Sequence, residues 1–164
     1  MAVWLIRAGQ NGEYERKFVQ ESRVYVTWEK LDIDLSKLKE KSDLKAAMMK
    51  RYRHAKARTI ANWVNQVMPF ASQIKKGDLV VLPLKSQPAI QIGEVVGEYH
   101  FEPLGPTPFF HWRKVKWIGE AIPRANFGQD LLYTFGAFLT MCRVQRNNAE
   151  ARINAMRAND WKPE

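Results

Sequence analysis

A single cysteine, Cys142, stands in 164 residues. One thiol excludes an internal disulfide framework and suits a reducing, cytoplasmic setting. No apolar run approaches the roughly 18 residues that a membrane-spanning helix needs. The first residues, MAVWLIRAG, carry an apolar patch but no basic leader region and no small-residue cleavage site. Histidine is scarce, and His54, His100 and His111 show no metal-ligand spacing with one another or with Cys142. Neither common Gly-rich phosphate loop is present, and no serine sits in a nucleophile elbow. A metal-dependent nuclease would need an upstream acid and an acid-x-Lys triplet. Asp43-Leu44-Lys45 follows Asp32 and Asp34 but falls at a helix start, where capping is the simpler role. These absences exclude the common catalytic and metal-bound classes by motif and leave a binding protein, with no cofactor expected.

Acidic residues are also few. Seventeen face 26 basic ones, for a net charge of +9. The surplus is concentrated: Lys37 to Arg58 holds nine basic residues against Glu40 and Asp43 alone. A solvated helical face accounts for such a run, and so does contact with phosphates. Apolar content of 46% and aromatic content of 12% fit one globular domain with a real core.

The most informative stretch runs from residue 55 to residue 86. Ile60, Val64, Val67, Ala71 and Ile74 recur at helical steps, and Trp63 and Phe70 widen their stripe, as for a helix laid on a sheet. Pro69 should kink or divide that helix. Gly77-Asp78 turns the chain into Leu79 to Leu84, a strand buried on both faces. The Lys-Ser-Gln loop that follows then lies at a sheet rim, where pockets form. Elsewhere, strands are expected at 2–6, 23–28, 89–98, 109–117 and 139–145, and helices at 14–20, 43–52, 127–135 and from Asn147 onward. Residues 99–108, with three prolines, read as a loop. Gly93 and Gly97 inside a strand suggest bulges or close backbone approach. The expectation is an α+β fold, with five or six strands in a small barrel-like sheet wrapped by helices. Residues 1–146 form the domain, and 147–164 a C-terminal helix and linker.

Several stretches resemble the N-terminal recognition module of Mrr-type, modification-dependent restriction endonucleases, in the EVE/YTH/PUA-like superfamily. They are VWLIRAGQNGE (3–13), VYVTWEKLDIDLS (24–36), residues 60–97 with their Gly-Asp turn, HWRKVKWI (111–118) and IPRANFGQDLLYTFGAFLTMCRV (122–144). The resemblance implies a PUA/EVE-like barrel whose pocket accepts one methylated base rotated out of DNA. It implies Trp28 as a strand-end cage residue and Arg7 and Gly9 at the pocket border. Asn62 and Trp63 match the helix-start pair, and Leu82, Lys85 and Ser86 lie beside the base. Gln129, Asp130 and Tyr133 come from the GQDLLY stretch. Lys50, Arg51, Arg53, Lys56 and Arg58, with Lys75 and Lys76, are the expected phosphate contacts. Whole family members continue into a nuclease domain, so a fused endonuclease is the expected companion, and the chain itself is expected to bind rather than cut. Two alternatives stay open: a YTH-like reader of modified RNA, and a structural or protein-interaction domain whose basic face is merely solvated.

Overall fold

The computed structural model describes residues 1–164. Its fold is α+β. Seven strands form one open sheet: β1 (Val3–Ile6), β2 (Arg23–Val26), β3 (Leu79–Pro83), β4 (Ala89–Phe101), β5 (His111–Trp117), β6 (Ile122–Pro123) and β7 (Met141–Arg143). Five helices accompany them: α1 (Glu15–Glu21), α2 (Lys41–Arg51), α3 (Ala57–Ser72), α4 (Gln129–Phe135) and α5 (Ala149–Ala158). The strand order is β2-β5-β4-β3-β1-β7, with β6 on β4. β1 and β3 run parallel at the centre and the other pairs are antiparallel. The expected barrel does not close, because β2 and β7 end the path unpaired with each other. No helix is long and apolar enough to cross a membrane.

Period-two alternation in the central strands sends side chains to two separate cores. Trp4, Ile6, Val80 and Leu82 face a 24-residue cluster with Leu44 and Met48 of α2 and Ile60, Val64, Val67 and Phe70 of α3. Val3, Leu5, Leu79, Val81, Ile90 and Ile92 face a 14-residue cluster with Phe127, Leu131 and Phe135, and with Ile153 and Met156 of α5. Each fully buried side chain of this size contributes about 1.5–3 kcal/mol, so both faces are held firmly. Residues 147–164, expected to lead away from the domain, instead put Ala149, Ile153 and Met156 into the second core.

Helix α3 is not divided by Pro69. The proline falls in the last turn, and Gln73 N–H donates to the Pro69 carbonyl at 2.8 Å. Only the donor to one preceding turn is lost there, which a helix end tolerates. Strand β4 runs three residues past its expected end, because Tyr99, His100 and Phe101 pair with Arg113, Trp112 and His111 across a bulge between Val95 and Tyr99. Gly97 permits the bulge, since a Cβ there would lie 2.9 Å from the Lys114 Cβ. Gly93 leaves room for the Trp117 ring, which a Cβ would meet at 2.7 Å.

Two buried polar side chains on β5 pin the layers. Arg113, 4% exposed, donates to the carbonyls of Phe70 (3.2 Å), Ile74 (2.5 Å) and Gly97 (3.2 and 3.0 Å). It thereby satisfies carbonyls at the C-terminal end of α3, where a cation is also favoured by the helix dipole. Burial lowers its pKa from the ordinary arginine value. His111 is fully buried. Its Nε2 donates to the Leu31 carbonyl at 2.6 Å and its Nδ1 accepts from the Tyr99 hydroxyl at 2.7 Å, an arrangement that requires the neutral ring.

Burial pushes the His111 pKa down from 6.5 to about 4. The unfolded chain therefore binds the proton first as pH falls. Stability contributed by the neutral ring is complete above about pH 6.5 and is lost as pH drops toward 4, by up to about 3 kcal/mol. Urea unfolding from pH 7 to pH 4 will show this loss in the native chain and a flatter profile in His111→Gln. An equally steep profile in the variant would show that another group titrates.

Candidate nucleic-acid interface

An aromatic pocket opens where the segment after β2 meets the front of α3. Gln10, Thr27, Trp28, Glu29, Tyr52, Trp63 and Thr140 line a cavity of about 270 Å³. β2 ends at Val26, so Trp28 lies just beyond the strand rather than on it. Trp63 is the centre of the cluster. Its ring meets Tyr52 edge-on at 5.0 Å (69°) and Trp28 at 6.4 Å (73°). The Tyr52 hydroxyl accepts from the Lys30 amide at 2.9 Å, which fixes the ring against the loop that carries Trp28. Burial raises the Tyr52 pKa from its ordinary value. The three rings are half-buried and border a small open space.

The rim is polar. The side chains of Gln10, Thr27, Glu29 and Thr140 make no hydrogen bond within the chain, and neither do the indole N–H groups of Trp28 and Trp63. Trp4 and Trp117, by contrast, donate to Asp78 and to the Phe18 carbonyl. A pocket of flat apolar walls with free donors and acceptors at its edge fits a planar, hydrogen-bonding ring.

A single amide holds the far wall. Gln66, buried on α3, accepts from the Thr140 and Met141 amides at 2.9 and 3.2 Å and donates to Asn62 at 2.6 Å. It therefore positions Thr140 and also occupies an amide on the outer edge of β7.

Beyond Gln10 and Thr140 the groove continues into two basic cavities. Arg7, Gln10, Lys85, Gly136, Ala137, Phe138, Leu139 and Thr140 surround about 340 Å³. Arg7, Lys85 and Arg124, with Pro83, Leu84, Leu132, Phe135 and Gly136, surround about 410 Å³. Arg7 donates to the Phe135 carbonyl at 2.5 Å. Its pKa is lowered by burial and further by the neighbouring Arg124 charge. On the other flank, Tyr52 is followed directly by the exposed Arg53, Lys56 and Arg58 at the start of α3.

The expected site residues divide into distinct places. Trp28 and Trp63 meet in the aromatic pocket, while Arg7 and Lys85 line the basic groove beside it. Gly9, at φ +83°, shapes the turn between Arg7 and Gln10, where a Cβ would strike Glu13 and Tyr14. Asn62 is exposed one residue from Trp63 and reaches the site only through Gln66. Leu82 is 1% exposed and belongs to the first core, not to the cavity wall. Ser86 is committed to structure: its hydroxyl donates to Glu15 at 2.7 Å, beside the Lys85 and Ser86 amides. Gln129, Asp130 and Tyr133 lie on α4, away from the aromatic rings. Asp130 is forked by Arg152 at 2.7 and 2.9 Å, which holds its pKa below the usual carboxylate range. Tyr133 is 74% exposed over a separate cleft beside Cys142 and Arg146.

The expected phosphate contacts also split. Lys50, Arg53, Lys56 and Arg58 are exposed around the α2–α3 turn, whereas Arg51 donates to Asp32 at 2.8 Å. Lys75 and Lys76 follow the opposite end of α3, about 24 Å along its axis, and Lys76 faces Glu98. Tyr52, Gln10, Thr27, Thr140 and Arg124 were not expected. Tyr52 reads in sequence as an apolar helix residue, and its place beside the basic run is the one signal available. The others come together only through strand order.

The fold and site together define a basic α+β domain with an aromatic pocket between two cationic surfaces. A family model, Domain of unknown function (DUF8426), matches residues 4–130, and the chain belongs to that family. The matched span contains every residue that lines the aromatic pocket except Thr140. No curated protein and no solved structure matches the chain.

Gln66→Leu leaves the buried Met141 amide and the half-buried Thr140 amide without an acceptor, and losing a buried partner costs about 1–3 kcal/mol. Urea unfolding of this variant will show a stability loss of at least that size. Hydrogen exchange at Thr140 and Met141 will rise in parallel. Unchanged protection at both amides would contradict the role given to Gln66.

Proposed function

We propose that this protein is a nucleic-acid-binding module that takes one unstacked base into the pocket of Trp28, Tyr52 and Trp63. The observation that carries the reading is the pocket itself, a set of fixed aromatic faces with an unpaired polar rim, flanked by Arg53, Lys56 and Arg58 on one side and Arg7 and Lys85 on the other. Phosphates on these cationic surfaces position the strand, and the pocket reads the base. Removing a base from its stack costs a few kcal/mol. Stacking on aromatics returns about 1–3 kcal/mol per base, and rim hydrogen bonds supply the remainder. Glu29 suits the exocyclic amino group of cytosine or adenine, and Gln10, Thr27 and the two indole N–H groups supply the other edge partners. At about 270 Å³ the cavity lies just below the roughly 300–1,000 Å³ of pockets for drug-sized ligands, as a site for one base should.

The stretches similar to modification-dependent restriction endonucleases support a finer reading, in which the base is methylated, the partner is DNA and this module supplies specificity to a nuclease domain. The sheet, bulged at Gly97 and sharing β4 among three neighbours, is then an opened version of the PUA/EVE-like barrel. On this reading the domain binds and does not cut.

Fluorescence anisotropy with short labelled DNA and RNA strands tests the proposal. Trp28→Ala and Trp63→Ala will each weaken binding by roughly 5- to 150-fold, the equivalent of one lost stack. The dependence of affinity on salt will stay unchanged, because no phosphate contact is removed. Wild-type affinity in both variants would sink the pocket reading, and preference for RNA over duplex DNA would redirect it to RNA.

A further inference from the structure

The cleft of Arg7, Lys85 and Arg124 is distinct from the aromatic pocket and is built from three separate parts of the chain. Arg7 leaves the end of β1, Lys85 sits on the loop after β3, and Arg124 follows β6. All three line one cavity of about 410 Å³ that has no acidic residue on its wall. Lys85 and Arg124 make no side-chain hydrogen bond or ion pair within the chain, and Arg7 spends a single Nη2 contact on the Phe135 carbonyl. Glu15, the carboxylate that touches the Lys85 loop, has both oxygens occupied by the Lys85 and Ser86 amides and the Ser86 hydroxyl. Three cations gathered in one concavity with no acidic residue on its wall focus a positive potential there, which favours an external anion.

We infer that this cleft is a phosphate subsite, which grips the strand backbone next to the nucleotide whose base enters the aromatic pocket. The inference rests on the nucleic-acid reading above and adds a path. Gln10 and Thr140 line both the aromatic pocket and the adjoining basic cavity, so the two form one groove. Along α3, Arg58 and Gln66 are separated by about 12 Å, with Trp63 between them. A strand laid along this line meets the cations after Tyr52, then the rings, then Gln10 and Thr140, and finally Arg7, Lys85 and Arg124. The bound unit is therefore a nucleotide with phosphate on both sides, and a free nucleobase engages only the middle of the groove.

Two probes separate cleft from pocket: a short single strand, and the same strand with every base removed. Lys85→Ala and Arg124→Ala suit the test because neither side chain holds the fold. The abasic strand will shift the Arg7 and Arg124 Nε–Hε resonances of the native chain. Each variant will lower the salt slope of binding by about one, with the preference for the intact strand retained. Arginine resonances unmoved by the abasic strand, together with native salt slopes in both variants, would overturn the phosphate subsite even if the intact strand still binds. Shifted arginines with equal affinity for both strands would uphold the cleft and defeat the base pocket. Binding of neither strand would overturn both.

Discussion

Asp78 holds the architecture together. Its buried carboxylate accepts from the Ala2 amide (3.2 Å), the Trp4 indole (3.0 Å) and the Lys75 amide (2.9 Å), and its carbonyl accepts from Val95. One side chain thus ties the start of β1, the turn after α3 and the start of β3. Those are the elements whose parallel pairing sets the centre of the sheet. Hydrogen bonds to a charged acceptor are each worth about 1.5–3 kcal/mol, and leaving the group buried without them costs more. Arg113 fixes the same end of α3 from the other side of the turn. With that end fixed, the helix projects Trp63 and Gln66 at a defined height over β7, and the aromatic pocket follows from that placement.

The geometry of the candidate site depends on this chain of supports. Gln66 transmits the position of α3 to Thr140, Tyr52 ties α2 to the loop of Trp28, and Glu15 holds the loop of Lys85. Gln66 and Glu15 support without lining the aromatic pocket, whereas Tyr52 both braces that pocket and forms one of its walls. They hold the pocket and the basic cleft in place, so on the proposed function a strand would meet groups already positioned, at little ordering cost.

The helices and most strands were legible because apolar periodicity reports burial directly. Both faces of β3, the stripe of α3 and the turn at Gly77-Asp78 belong to that category. Sheet closure was not legible: alternation shows which residues are inside but not whether β2 and β7 meet. The end of β4 was missed because Tyr99 to Phe101 gain strand structure from β5, a partner distant in sequence. The same limit applies to the site. Trp28, Trp63, Arg7 and Lys85 stand out locally by residue type and by resemblance. Thr140 and Arg124 acquire their roles only when β1, β3, β6 and β7 are brought together. Asp130 shows the converse, since a polar motif residue proved to be engaged by Arg152 and the C-terminal Glu164 network.

The most direct test is an anisotropy titration with matched duplexes that differ by one methyl group, on cytosine or on adenine, at two salt concentrations. A methyl seated in an apolar niche is worth about 1–3 kcal/mol. The account predicts tighter binding of one methylated duplex by roughly 5- to 150-fold, with the same ratio at both salts. Equal affinity for all duplexes, falling together as salt rises, would reduce the protein to a nonspecific basic surface and contradict base reading.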